Sequence, residues 1–215
     1  MRAVRTFRVV SMLTLLAFEP AGLAADPIDF HYGVIGEQPD NALYAVDNDA
    51  ELRSGQTFKL NFQFTTGNWF YVTYLSSTGE YALLYGSSKG AYPDNELSFD
   101  TLGWFALDQN KGDETFTLIA SEERLEDLEA LFENYGKASA ASKKRFAKRI
   151  TNTLADLHKS LEGPEGTELV QRLDAPIMGG VTFRGVTNDE VTQHSLTHKA
   201  TGERIAEAIF VIKHQ

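Results

Sequence analysis

His194 and His198 stand four residues apart. On an extended strand that spacing puts both rings on one face, where Asp189 or Glu190 could join them around a metal ion. No third ligand has a suggestive spacing, so the expected state is two solvent-facing histidines, with no metal and no other cofactor. Asp47, Asp49 and Glu51 alternate acidic groups that could hold calcium. They lack the glycine and the twelfth-position glutamate of an EF-hand loop, and a solvated turn is the better reading. Gly33-Val34-Ile35-Gly36 and Gly163-Pro164-Glu165-Gly166 have neither the spacing nor the lysine of a P-loop. Nucleophilic hydrolysis is not favoured either: cysteine is absent, and there is no S-x-x-K. A serine–histidine–carboxylate set from distant positions is defined by geometry and stays open.

Two groups of residues point to binding. Lys143, Lys144, Arg145, Lys148 and Arg149 crowd the start of a predicted helix, the end where the helix dipole disfavours cations. Either they dock an acidic partner or an anionic envelope surface, or they are a solvated face paired with Glu122, Glu123, Glu126, Asp127 and Glu129 of the preceding helix. Trp69, Phe70, Tyr71, Tyr74, Tyr81, Tyr85 and Tyr92 fall close together. Of these, Trp69, Tyr71, Tyr81 and Tyr85 are candidates for a groove that takes a glycan or peptide; core packing is the competing reading.

The elements that position these groups follow from patterning. Phe58, Leu60, Phe62 and Phe64 alternate with Thr57, Lys59, Asn61 and Gln63, as in a strand with one face in a core. Residues 69–75 read as a strand buried on both faces, and 80–85 as a third; the three are expected to form an antiparallel meander. Residues 86–100 read as a polar loop, 102–107 and 114–120 as strands. The period then lengthens to 3.6. Ser121 is the expected N-cap of a helix whose stripe is Leu125, Leu128, Leu131, Phe132 and Tyr135, with Gly136 as its stop. A second helix carries Phe146, Ile150, Leu154, Leu157 and Leu161, and Gly163-Pro164 ends it. Strands are expected again at 181–186, 191–199 and 204–213, the last two joined as a hairpin.

The chain has 215 residues, 42% of them hydrophobic, and a formal charge of −10. These values fit a folded globular chain, and the acidic balance argues against nucleic acid as a partner. Arg2, Arg5 and Arg8, an apolar run over 9–18, Pro20 and the small residues before Ala25 have the layout of a secretory signal peptide. Its apolar run is shorter than the roughly 20 residues of a membrane span. Cleavage after Ala24 takes three arginines and one glutamate from a chain of charge −10 and so leaves −12. The expected organisation is a signal peptide over 1–24, an irregular lead-in over 25–50 with a short strand at 44–46, and one β-rich domain over 51–215 with helices near 122–135 and 140–162. The expected place is a bacterial periplasm or the exterior.

Leu52-Arg53-Ser54-Gly55-Gln56 leads into the alternating strand. Trp69-Phe70-Tyr71-Val72-Thr73-Tyr74-Leu75, Ser77-Thr78-Gly79-Glu80, Leu83-Leu84-Tyr85, Gly112-Asp113-Glu114 and Leu118-Ile119-Ala120-Ser121 follow in order. These landmarks, over roughly residues 51–135, resemble the bacterial domain-of-unknown-function family numbered 4384. Gln56 stands where that family's opening has an acidic residue, and Leu84-Tyr85-Gly86 where its strand ends "LFP". The resemblance implies a β-rich module of exported or envelope proteins with an accessory or interaction role, and it carries over no catalytic residue.

The expected fold is therefore α+β: an antiparallel β-sandwich-like core with a two-helix insertion and a C-terminal strand returning to the sheet. The expected function is a non-catalytic module that binds a protein partner or envelope component, with the basic helix and the 86–100 loop as its surfaces. A carbohydrate- or peptidoglycan-binding module and a cryptic hydrolase are the alternatives.

Overall fold

The computed structural model describes residues 27–65, 68–87, 97–161, 169–172 and 196–215. The signal peptide expected over 1–24, His194 with Asp189 and Glu190, the strand expected at 181–186, Gly163-Pro164 and Tyr92 lie outside these residues. The described strands are β1 (Ile28–Glu37), β2 (Leu43–Val46), β3 (Ala50–Leu52), β4 (Thr57–Thr65), β5 (Trp69–Leu75), β6 (Tyr81–Gly86), β7 (Leu97–Thr101), β8 (Phe105–Ala106), β9 (Gly112–Ser121), β10 (Leu169–Arg172), β11 (His198–Gly202) and β12 (Ile205–His214). Helices α1 (Glu126–Lys137) and α2 (Ala140–Leu161) lie between β9 and β10.

Two sheets face each other. The first runs β10-β11-β1-β4-β7, with β2 beside the far end of β1 and β8 beside the start of β4; the second runs β3-β12-β9-β5-β6. The pairing is antiparallel except for the short parallel contact of β3 with β12. The architecture is α+β with a sheet-rich core, as the patterning predicts.

The core fills the space between the sheets. Phe30, Tyr32, Val34, Phe58, Leu60, Phe62 and Phe64 come from the first sheet; Phe70, Val72, Phe116, Leu118, Phe210 and Ile212 come from the second. Phe70 is the hinge of this packing. Its ring stacks on Phe64 at 4.7 Å, with 3° between the planes, and lies 4.9 Å from Phe62. Burying each such ring contributes about 1.5–3 kcal/mol.

The opposite face of the second sheet is covered by the helices. Tyr71 and Ile119 pack against Leu128, Leu131, Phe132 and Tyr135 of α1 and Ile150 of α2. The result is three layers, sheet on sheet on helix pair. It explains why β5 is apolar on both faces: Phe70 and Val72 point to the sandwich core, while Tyr71 meets the helices.

Several expectations need correction. The lead-in over 25–50 contains β1, which pairs with β4 on one side and with β11 and β2 on the other. Ile28, Phe30, Tyr32 and Val34 do alternate inward, but two prolines and two glycines nearby read as loop. The expected meander breaks after β4, because β5 belongs to the other sheet and pairs with β9 and β6. The hairpin expected around residues 200–203 is instead a crossing between layers: β11 pairs with β1 and β12 pairs with β9. A Cβ on Gly202 would lie 1.9 Å from the Ile205 carbonyl oxygen, so the bend is too tight for any other residue. Part of the expected 86–100 loop is strand, with β7 beginning at Leu97, and the strand expected at 102–107 shrinks to Phe105–Ala106. Ser121 is not an N-cap. It ends β9 opposite Ile205 and Trp69, and its hydroxyl donates to the Glu123 carbonyl at 2.7 Å. Helix α1 starts later, its N-cap Leu125 has no side-chain cap, and it runs one residue past Gly136. The acidic first turn of Glu126, Asp127 and Glu129 suits the positive end of the helix dipole.

Candidate functional site

Basic residues behave differently in different parts of the molecule. Arg124 bonds Glu129 at 2.7 Å, Lys143 bonds Glu80 at 2.8 Å, Arg204 bridges Glu122 and Glu123, and Lys213 reaches Asp49 at 3.1 Å. Lys137 pairs with Glu133, and Lys199 with Asp29. Lys144, Arg145, Lys148 and Arg149 are exposed on α2 and make no such pair among the described residues. Of the acidic residues around the start of α1 that could have neutralised them, Glu122 and Glu123 are engaged by Arg204 and Glu126 and Glu129 by Arg124, while Asp127 pairs with none of the four. Lys143 separates from the cluster, because its ammonium sits on Glu80 and 5.0 Å from the Tyr135 ring.

The spacing on α2 is helical. Lys144 and Lys148 are four residues apart, as are Arg145 and Arg149, so the four groups form two adjacent ridges on one face. Phe146 anchors this face: its ring packs with the α1–α2 cluster, and the Arg145 and Arg149 guanidiniums lie 5.3 Å and 6.0 Å from its centroid. The planar arginine heads are thus held beside an aromatic ring with their N–H groups free to bind carboxylates in pairs.

The aromatic candidates are spread over different environments. Tyr71 is fully buried; its hydroxyl donates to Glu129 Oε1 at 2.9 Å and accepts the Leu125 N–H at 3.1 Å. Burial first, and the neighbouring Glu129, push its phenol well above the ordinary tyrosine value. Tyr81 hydrogen-bonds Thr151 at 2.8 Å and meets Phe132 and Tyr135 edge to face. Tyr85 packs edge-on against Phe62 and Phe70. Trp69 is half-buried, with the Arg124 guanidinium 5.4 Å from its ring. A cleft of about 440 Å³ does touch Trp69, Tyr71 and Tyr85, but these rings already have partners inside the fold. Of the 86–100 loop only Ser87 has a described side chain, and its Oγ accepts the Phe70 N–H at 2.8 Å.

A third constellation was not signalled by any motif. Ser54 Oγ lies 2.9 Å from His214 Nε2. His214 Nδ1 is buried without a hydrogen-bond partner and faces Glu114 Oε1 at 4.0 Å. Glu114 Oε2 accepts the Tyr74 hydroxyl and, at 3.3 Å, the Ser77 N–H. Burial, then the Glu114 hydrogen bond and charge, raise the Tyr74 phenol well above its ordinary value. A small hollow of about 130 Å³ opens beside Glu114 and Asp108. The sequence signal for this cluster is one of phase. Glu114 shares the inward register of Phe116 and Leu118, and His214 that of Phe210 and Ile212. A charged residue and a histidine on adjacent core strands are unusual enough to single out.

The metal readings gain no support. His198 stacks on Tyr32 at 5.0 Å and lies beside the Thr197 hydroxyl. No group of three metal-ligating side chains occurs among the described residues. Asp49 is paired with Lys213. No described helix is long and apolar enough to cross a membrane. No protein-family model, no curated protein and no solved structure matches this chain.

Proposed function

We propose that this chain is an exported interaction module that docks an acidic protein segment on the face of α2 formed by Lys144, Arg145, Lys148 and Arg149. The observation that carries the reading is the local excess of cations: these four have no carboxylate partner among the described residues, in a chain of formal charge −10. A discrete acidic segment has to match the patch only locally. An extended anionic membrane would face the repulsion of the whole acidic molecule. Export is supported by Arg2, Arg5, Arg8 and the apolar run that follows, and the ordered landmarks over residues 51–135 support kinship with envelope modules. N-terminal sequencing of protein recovered from the producing cell's exterior fractions checks cleavage after Ala24.

The docking test uses a glutamate-rich peptide and, separately, anionic phospholipid vesicles. Wild type is expected to bind the peptide with an affinity that falls as salt rises, and a variant with all four cations changed to Glu is expected to lose that binding. Equal peptide binding by the two proteins, or binding to vesicles alone, overturns the proposal.

A further inference from the structure

We propose that Ser54, His214 and Glu114 form a serine nucleophile site that cleaves short acyl esters, an activity separate from docking on α2. The constellation brings together three residues from the β3–β4 turn, the end of β12 and the start of β9. Its first link is the 2.9 Å contact between Ser54 Oγ and His214 Nε2. Its second is the 4.0 Å approach of Glu114 Oε1 to His214 Nδ1.

The protonation pattern follows from the surroundings. Tyr74 and Ser77 both donate to Glu114 Oε2, which leaves Oε1 turned toward the histidine. A carboxylate facing Nδ1 favours the tautomer with its proton there. Nε2 then carries the lone pair, and the Ser54 hydroxyl is the donor of the 2.9 Å bond. That is the arrangement of a serine poised on a general base. It also accounts for the buried, unpartnered Nδ1: its acceptor is at hand but not yet in contact. Links of this kind tighten when substrate binds.

Access is from the turn. Ser54 is half-buried and Gly55, beside it, has open space where a Cβ would stand. An open hollow of about 660 Å³ has Leu52 and Gln56 in its wall but not Ser54 or His214, so a substrate reaches Ser54 Oγ over the exposed Gly55 side of the turn and not through that hollow. The Ser54 N–H is without an acceptor among the described residues, whereas the Gly55 N–H is held by the Leu107 carbonyl at 2.8 Å. The free N–H is the donor for a developing oxyanion.

The chemistry is a two-step acyl transfer to water. Ser54 Oγ bonds to the ester carbonyl carbon as its proton passes to His214 Nε2. The bond to the alkoxide leaving group breaks, and that group leaves with the proton from Nε2. Nε2 then takes a proton from water as the water oxygen bonds to the acyl carbon. The Ser54–acyl bond breaks, the serine regains its proton, and a carboxylic acid departs.

The test uses the full chain with p-nitrophenyl acetate and a fluorophosphonate probe. The expected result is a covalent adduct mapped to Ser54 and an ester rate that falls at least about 100-fold in Ser54→Ala. A second measurement leaves buried His214 untouched. Because the chain has no cysteine, Ser54→Cys carries a unique thiol whose alkylation by iodoacetamide is followed against pH, with Thr78→Cys, exposed in the β5–β6 turn and away from any helix N-terminus, as the control. A base at hand keeps the Ser54→Cys thiol reactive well below the ordinary cysteine value of about 8.5. Coincident alkylation profiles for the two thiols, or an ester rate unchanged in Ser54→Ala, overturns the proposal.

Discussion

A Cβ placed on Gly33 would lie 2.6 Å from the Leu196 backbone nitrogen and 2.9 Å from that of Thr197. The chain thus passes over β1 at a distance that only glycine allows, and Leu196 itself takes a left-handed φ of 40° to do so. Neither neighbour is a side chain that can swing aside. Gly33→Ala is expected to cost about 2–4 kcal/mol by forcing two backbone segments apart. Gly36→Ala meets the ring end of Tyr44 instead, which can rotate, so its cost is expected below about 1 kcal/mol. Urea unfolding of the two variants side by side checks the contrast.

Tyr71 joins sheet and helix through one hydroxyl. Tyr71→Phe keeps the ring but strands the Leu125 N–H and removes a donor from Glu129, at an expected cost of about 1–2 kcal/mol. Glu129 also carries a pH signature. Its carboxyl is held below the ordinary value, first by the Arg124 hydrogen bonds and also by the Tyr71 hydroxyl, against the opposing effect of burial. A depressed folded value gives stability that is present above the unfolded value, about 4.3, and is lost as pH falls through the folded one. Arg124→Ala is therefore expected to lower stability at pH 7 and to flatten its fall below pH 5. Thermal melts from pH 7 to pH 3 read both effects.

The elements were readable where their period was unbroken. The alternation of Phe58 to Phe64 and the helical stripe from Leu125 to Tyr135 both appear in the core clusters. Layer membership was not readable. A turn such as Gly202-Glu203-Arg204 looks the same whether the chain returns to its own sheet or crosses to the facing one, and pairing energy acts between strands distant in sequence. β1 was hidden because Pro27, Gly33, Gly36 and Pro39 are turn residues by type, although Gly33 is there for close approach. The basic cluster was plain in the sequence, but which carboxylates would neutralise it was not. The Ser54–His214 contact joins residues 160 apart, so no spacing motif can mark it.

Phe70 stands between Phe64 and Phe62 of the first sheet and is fully buried. Its truncation removes the ring through which β5 grips the opposite layer. Phe70→Ala is expected to destabilise by about 3–5 kcal/mol, whereas Phe70→Leu, which keeps most of the volume, should cost less. A larger loss for Leu than for Ala would mean that the site tolerates a void better than a branched side chain, and that shape rather than buried volume sets the cost. Denaturant midpoints at constant m separate these cases.

The basic face of α2 makes an opposite prediction. Lys144 and Lys148 are like charges at i,i+4, as are Arg145 and Arg149, and each such pair opposes the helix by about 0.2–0.5 kcal/mol. Lys144 and Arg145 also sit near the N-terminal end of a helix whose first turn carries no acidic residue, where the dipole is unfavourable to them. None of the four cations has a carboxylate to lose among the described residues. Changing all four to Gln is therefore expected to stabilise the fold by about 0.5–1 kcal/mol, raising Tm by roughly 1–4 °C, most clearly at low salt. If the same variant loses peptide binding, the patch is a place where stability has been given up for docking. A lower Tm in the variant would instead mean that these side chains support the fold, and the docking reading would lose its main argument.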